Sequence, residues 1–355
     1  MATIPNQTRL EVQAEVKAWN PASIWQPPTA GQRLFDRVFR RSTYFFAAFT
    51  IVLMALLVVE IGIKAIPAFH QFGFNFLWGR VWDPNKGIFG ILPEIWGTLY
   101  TSLLALFFGT LFGVAAALFL SEGYLGEAIF RVLKMFNLQY HRFWGKLPER
   151  LEGLLKNLIE LLAAVPSVVY GLWGLFVVIP LIRPYCNWLH DRMGWFPLFS
   201  TDLSGPGILP AVFVLSIMIL PTITAISRDA LVSVPPKLRM AAYGLGATRW
   251  ETILGVLLPT ASRGIFGGIV LAFGRALGET MALAMLVGNA NRLTVSLFSP
   301  ADTLAALLAN NFPEAGAKEV PVLMYAALVL LGITLVVNMF GALVLERAAG
   351  KATAK

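Results

Sequence analysis

Charge is scarce in this chain. Only 14% of its 355 residues are Asp, Glu, Lys or Arg, against 57% that are hydrophobic. That balance excludes an ordinary soluble domain and predicts a polytopic membrane protein. Cysteine is scarcer still: Cys186 stands alone, so no internal disulfide can form. His70, His141 and His190 lie far apart with no carboxylate or thiol spaced around them, so no metal site is expected. No cleavable signal pattern is expected either, because the first long apolar run begins near Tyr44, behind a polar arm that holds Pro5, Pro21, Pro27 and Pro28. A phosphate-cradling loop of the form G-x-x-x-x-G-K-[ST] is missing; Gly350-Lys351 is followed by Ala352 and has no loop before it. The chain is therefore not expected to hydrolyse ATP unaided. If it moves a solute, either an ion gradient or a separate ATPase supplies the energy.

What is present is a series of six long apolar runs, at 44–63, 95–120, 154–182, 208–226, 265–288 and 320–345. About 17–20 residues span the hydrocarbon of a bilayer, and only the fourth run is near that limit. Backbone groups in lipid must be bonded within their own segment, and the runs are continuously apolar rather than alternating, so helices are predicted and a barrel is excluded. The net charge of +8 does not imply nucleic acid, since Lys and Arg sit between the runs rather than along one polar face. Of the 28 Lys and Arg residues, 20 lie in 1–43, 121–157, 228–263 and 346–355, and six lie in 65–93, 183–207 and 289–320. The positive-inside rule then predicts that both termini face the cytoplasm. The expected organisation is a cytoplasmic, partly disordered arm (1–43), a first transmembrane helix (44–64), an external loop (65–93), a five-helix core (94–345) and a cytoplasmic tail (346–355). The core carries a cytoplasmic insert at 121–157.

The external segments are rich in aromatics. Phe72, Phe74, Phe76, Trp78 and Trp82 fall within eleven residues, and 183–207 carries Tyr185, Trp188, Trp195, Phe196 and Phe199. They read either as an interfacial belt or as a docking surface for an external partner. In the inside segment 126–156, Ile129, Leu133, Phe136 and Tyr140 recur at helical spacing among Arg131, Lys134, Arg142 and Lys146, which predicts a basic amphipathic helix, either on the membrane surface or against a partner.

Two segments carry the functional signal. The fifth run contains Gly274-Arg275-Ala276-Leu277-Gly278-Glu279, and Arg275 and Glu279 are its only charges. A charge at the centre of a membrane helix costs roughly 2.5–3.5 kcal/mol on an insertion scale. Four residues apart, the two would share a helix face. Either they lie on a substrate path or they form a buried structural ion pair. Gly274 and Gly278, also four apart, would admit a close neighbouring helix. The second segment, 233–259, has Pro235-Pro236 at one end and Pro259 at the other, with Gly244 and Gly246 between. It predicts a short helix, a glycine break and a second short helix, either a rigid knob on a hinge or an ordinary loop. In the third run, Pro166 frees a carbonyl about a turn earlier, and Ser167 and Gly171 could line the gap. Arg228 and Asp229 read as a local ion pair.

Residues 240–259 resemble the EAA motif of ABC importer permeases, which reads E-A-A, three residues, G, nine residues and I-x-L-P. Met240, Ala241 and Ala242 stand at E-A-A, Gly246 at the glycine, and Val256-Leu257-Leu258-Pro259 at the close; Met240 and Val256 depart from the pattern. Gly274-Arg275-Ala276-Leu277-Gly278-Glu279-Thr280-Met281-Ala282 resembles the signature of C-type permeases of phosphate (Pst) importers, as do 160–171 and the stretch from Phe76 to Asp83. The similarity runs from about residue 35 to 345; the insert is longer than the family leads one to expect.

This resemblance implies an all-α integral membrane protein of six transmembrane helices with the type I ABC importer permease fold. It also implies a pore subunit of an inner-membrane phosphate importer, with no cofactor of its own. Its partners would be a homologous A-type permease, two cytoplasmic ATPases that hold ATP and Mg, and a periplasmic phosphate-binding protein. Residues 240–259 would be the coupling helix seated in an ATPase cleft, with Met240, Ala241, Ala242, Gly246, Leu258 and Pro259 as its contacts. Arg275 and Glu279 would serve transport, with Thr280 and Ser167 also on the substrate path. An arginine fork matches a phosphate oxyanion and keeps its charge. The spacing of the two charges further predicts an exchange, Arg275 pairing with Glu279 at rest and with phosphate in transit. The alternatives are a permease for another oxyanion, such as sulfate or phosphonate, and a gradient-driven transporter, which would show inverted repeats.

Overall fold

The structure, a computed structural model, describes residues 29–124 and 147–353. The arm up to residue 28 and residues 126–146 of the amphipathic stretch expected in the insert lie outside the described residues. Six helices there are long and apolar enough to cross a membrane: Ala30–Phe72, Leu92–Ser121, Ser167–Met193, Ile208–Val232, Arg249–Leu277 and Val320–Glu346. The chain divides into two units after Glu60.

The described part of the first unit is helical, within α1 (Ala30–Phe72). The helix begins well before the apolar run. Phe45, Leu53 and Leu57 are exposed on it, as suits a surface that faces hydrocarbon.

In the second unit, α1 ends at Gly73, which holds a φ of +54° that only glycine adopts freely. A one-turn α2 (Asn75–Trp78) and a two-stranded hairpin follow, β1 (Trp82–Asp83) pairing antiparallel with β2 (Ile88–Phe89). Its turn is set by Asp83, which accepts from the Lys86 N–H, and by Gly87 at φ +67°. Part of the aromatic cluster is core rather than belt or docking surface: Phe76 is fully buried and stacks on Tyr325 at 4.7 Å, whereas Trp78 is exposed.

The centre of the bundle is α3 (Leu92–Ser121) against α7 (Ile208–Val232). Gly109 and Gly113 of α3 let it sit close: a Cβ at Gly113 would lie 2.9 Å from Ile223, and one at Gly109 would lie 2.8 Å from Ile219. Thr224 also donates to the Gly113 carbonyl at 3.2 Å. The α3 face can approach closely because at Gly109 and Gly113 it carries no side chain to hold off Ile219 and Ile223.

The third apolar run does not make one helix. Pro166 ends α4 (Leu147–Ala164), and a new helix starts beyond it, α5 (Ser167–Trp173). That helix passes through a π-turn at Gly174–Val178 into α6 (Ile179–Met193). The third crossing is therefore displaced towards the C-terminus, and 183–207, expected as a loop, begins as helix.

The remaining elements are α8 (Pro236–Gly244), α9 (Arg249–Thr252), a π-turn (Ile253–Leu257), α10 (Leu258–Leu277), α11 (Met281–Leu286), α12 (Leu304–Asn311) and α13 (Val320–Thr353). The glycine break expected in 233–259 is present. The second helix is not short, however: α9, the π-turn and α10 run on as one membrane-length helix from Arg249 to Leu277.

Candidate substrate path and coupling segment

Arg275 lies in the last turn of α10, where the partial negative charge of the helix end favours a cation. It lines an open cavity of about 700 Å³ together with Thr222 of α7, Gly274 and Asn338 of α13. Arg275 is the single charged residue in that lining. Gly274 makes room for the Asn338 side chain, whose Oδ1 would lie 2.9 Å from a Cβ at that position.

The expected shared face of Arg275 and Glu279 does not exist. The helix ends at Leu277, with Gly278 as its cap, and Thr280 Oγ1 donates to the Gly278 carbonyl at 3.0 Å. Glycine and a hydroxyl that bonds its own backbone both favour an end over another helical turn. Among the described residues, no ion pair joins Arg275 to Glu279. Gly278 meets nothing nearer than 3.8 Å, so it is a cap rather than a helix contact. Thr280 faces a different cavity, with Met281, Leu308 and Phe312, and half-buried Glu279 lines neither.

The structure does bring the third crossing to this break. Gly171 of α5 packs on Ala282 and Met285 of α11. Tyr170, a turn beyond half-buried Ser167, is buried, donates to the Leu162 carbonyl at 2.8 Å across the Pro166 break, and lies within electrostatic reach of Arg275. Arg275, Tyr170 and the 278–280 break thus form one neighbourhood built from α5, α10 and α11. Asn338 and Thr222 were missed by sequence reasoning; a lone Asn among Val336, Val337, Met339 and Phe340 was the available signal.

The candidate coupling segment begins as a helix closed by a glycine hook. Gly246 has φ +83°, its N–H donates to the Tyr243 carbonyl at 3.0 Å, and the Ala247 N–H reaches the Ala242 carbonyl at 3.1 Å. This is a Schellman closure, which requires a left-handed residue after the helix. Thr248 and Glu251 then cap α9 reciprocally. Met240, Ala241 and Gly246 are exposed, Ala242 is buried, Leu258 is half-buried and Pro259 is exposed. Leu245 is 90% exposed, and Met240 and Trp250 beside it present further apolar surface. Arg228 and Asp229 form the expected local pair at 3.5 Å, largely solvated on the aspartate side.

A second polar cluster was also missed. Glu94, fully buried at the start of α3, accepts from Asn291 Nδ2 at 2.8 Å through one oxygen, and the other has no partner among the described residues. Asp302 lies nearby on the 288–303 loop, and burial pushes its carboxyl up to about 7 although the Thr303 N–H donates to it.

Six membrane-length helices with an exposed apolar helix–glycine–helix at one end define a multi-pass permease of the inner membrane. The chain belongs to the family of binding-protein-dependent transport system inner membrane components, which matches residues 142–347, and within it to the phosphate transport system permease PstC group. It is 38% identical to the phosphate transport system permease protein PstC of Pasteurella multocida over 319 residues, covering 88% of this chain and 92% of that protein. The PstC of Mesorhizobium japonicum is 36% identical, covering 88% and 89%. Among solved structures, a bacterial alginate ABC transporter in complex with an alginate pentasaccharide-bound periplasmic protein matches with a TM-score of 0.53 at 17% identity, covering 87% of this chain and 96% of that one. This likeness supports the type I importer permease fold.

Proposed function

We propose that this chain is the membrane-spanning permease subunit of an ATP-driven inorganic phosphate importer. The observation that carries the reading is Arg275, a single permanent cation in the wall of an open cavity, with donors matched to an oxyanion. The names of its relatives supply the anion. Arg275 attracts phosphate, and Asn338 and Thr222 offer neutral polar groups beside it. Glu279, Thr280 and Ser167 lie near the 278–280 break and are proposed to line the path on that side. A homologous A-type permease would close the path, and a periplasmic phosphate-binding protein would deliver the ion. Two ATPases holding ATP and Mg would seat the apolar surface around Met240, Ala241 and Leu245, so the chain itself carries no cofactor and no hydrolytic role. The charge bias of its loops supports cytoplasmic placement of both termini.

The test is uptake of labelled phosphate in cells lacking their own copy, comparing this chain with Arg275→Gln at equal membrane abundance and with excess sulfate present. Restored uptake that sulfate does not suppress and that falls at least about tenfold in the variant supports the reading. Unchanged uptake in the variant removes Arg275 from the path, and suppression by sulfate points to the other oxyanion class.

A further inference from the structure

One carboxylate ties both arms of the coupling segment to the membrane domain. Glu122 follows the last residue of α3, and its side chain is 2% exposed. Its Oε1 accepts from Arg239 Nη2 at 2.7 Å, and its Oε2 faces Arg249 Nε at 3.9 Å. Arg249 Nη2 also donates to the Glu122 backbone carbonyl. The Arg249 guanidinium lies 4.0 Å above the Tyr124 ring, which in turn stacks on Phe119 of α3. Arg239 belongs to α8, before the Gly246 hook, and Arg249 opens α9, after it. Both sides of the hinge therefore hang on the same end of α3. A desolvated, charge-assisted pair holds its geometry where an exposed one would not. Of the three side chains only that of Glu122 is fully desolvated, so it depends on the two arginines for its compensation.

From that end the contacts continue inwards. α3 carries Gly109 and Gly113, which seat Ile219 and Ile223 of α7, and Thr224 donates to Gly113. Thr222 of the same stretch of α7 lines the cavity of Arg275. These elements form a contiguous packed series from the hinge to the cavity wall, the kind of network that can carry a displacement.

We propose that Glu122 is the positioning residue that transmits movement of the 236–252 segment to α3, and through α3 and α7 to the substrate cavity. This rests on the reading of that segment as the ATPase-docking element. A force on α8 acts on Oε1 through Arg239, while Arg249 holds the carbonyl and the far oxygen. The end of α3 then moves with the segment rather than sliding past it. Glu122 thereby sets how much transport each hydrolysed ATP yields, not whether ATP is hydrolysed.

The experiment uses the whole transporter, this chain with its partner permease and ATPases, reconstituted in liposomes with the phosphate-binding protein. Phosphate moved per ATP hydrolysed is measured for the parent, Glu122→Gln, Glu122→Asp and Arg239→Gln. A parent complex that shows no phosphate-dependent hydrolysis sinks the importer reading itself, whatever the variants do. With a working parent, Glu122→Gln is expected to assemble and to hydrolyse ATP within about twofold of the parent while the ratio falls about tenfold. Glu122→Asp, which keeps the charge, is expected to recover most of the ratio, and Arg239→Gln to lose it. A parental ratio in Glu122→Gln overturns the proposal. If Glu122→Gln does not assemble, Arg239→Gln decides: a parental ratio there overturns it equally.

Discussion

At the residue scale, two positions owe their identity to local backbone and burial rather than to any partner. Gly246 holds φ +83° and donates its N–H to Tyr243. Proline can take neither that angle nor that bond, so Gly246→Pro unhooks the end of α8. The expected outcome is a chain that still inserts into membranes but no longer co-purifies with its ATPase, read by affinity pull-down from detergent extracts. Alanine at this position is milder, about 1 kcal/mol of strain. Asp302 makes a pH-dependent prediction. Its carboxyl is raised from 3.8 to about 7 by burial, so the folded state binds a proton that the unfolded chain has released. Its contribution to stability is fully present below pH 3.8, falls as pH rises through the interval to about 7, and levels off above. Asp302→Asn keeps an oxygen for the Thr303 N–H and removes the titration. Thermal unfolding midpoints of the solubilised protein at pH 5 and pH 8 should therefore converge in the variant.

At the element scale, proline placement explains where the helices depart from the apolar runs. Both π-turns stand just ahead of a proline, Gly174–Val178 before Pro180 and Ile253–Leu257 before Pro259. Proline lacks an N–H and its ring crowds the carbonyl four residues back. Widening the preceding turn, with Ile179 N–H bonding to Gly174 and Leu258 N–H to Ile253, lets the helix continue. Pro166 is different: its ψ of 140° ends α4 outright. The α3–α7 contact yields the prediction at this scale. Leucine in place of Gly113 would drive a branched side chain into Ile223, where even a Cβ lies within 2.9 Å. Overpacking of this kind costs typically 1–3 kcal/mol. Gly113→Leu should lower the thermal midpoint and the yield of folded protein in membranes, whereas Gly255→Leu, at a position open to its surroundings, should leave both near the parental value.

At the scale of the whole molecule, the distribution of Lys and Arg predicts one orientation, with both termini in the cytoplasm. Single cysteines placed in a Cys186→Ser background provide the check. A cysteine at Gly244 or Lys351 should react with a membrane-impermeant thiol reagent only after the membrane is opened, and one at Asn85 should react in intact spheroplasts. The reverse pattern would invert the topology and with it the placement of the coupling segment.

The amino-acid sequence by itself determined the class of protein, the number of membrane-length helices and the helix–glycine–helix of the coupling segment. These depend on local quantities: the length of an apolar run, the position of a proline, the need for glycine at a left-handed turn. The lone charge of Arg275 and the spacing from Met240 to Pro259 are visible along the chain in the same way, and their roles are proposals. Only the tertiary structure decided what each polar group faces. It moved Phe76 into the core and brought Asn338 and Thr222 to the cavity. It also joined Glu122 to Arg239 and Arg249, more than a hundred residues away in sequence. Such pairings arise where helices distant along the chain pack against each other, and no periodicity within one helix encodes its neighbour's register.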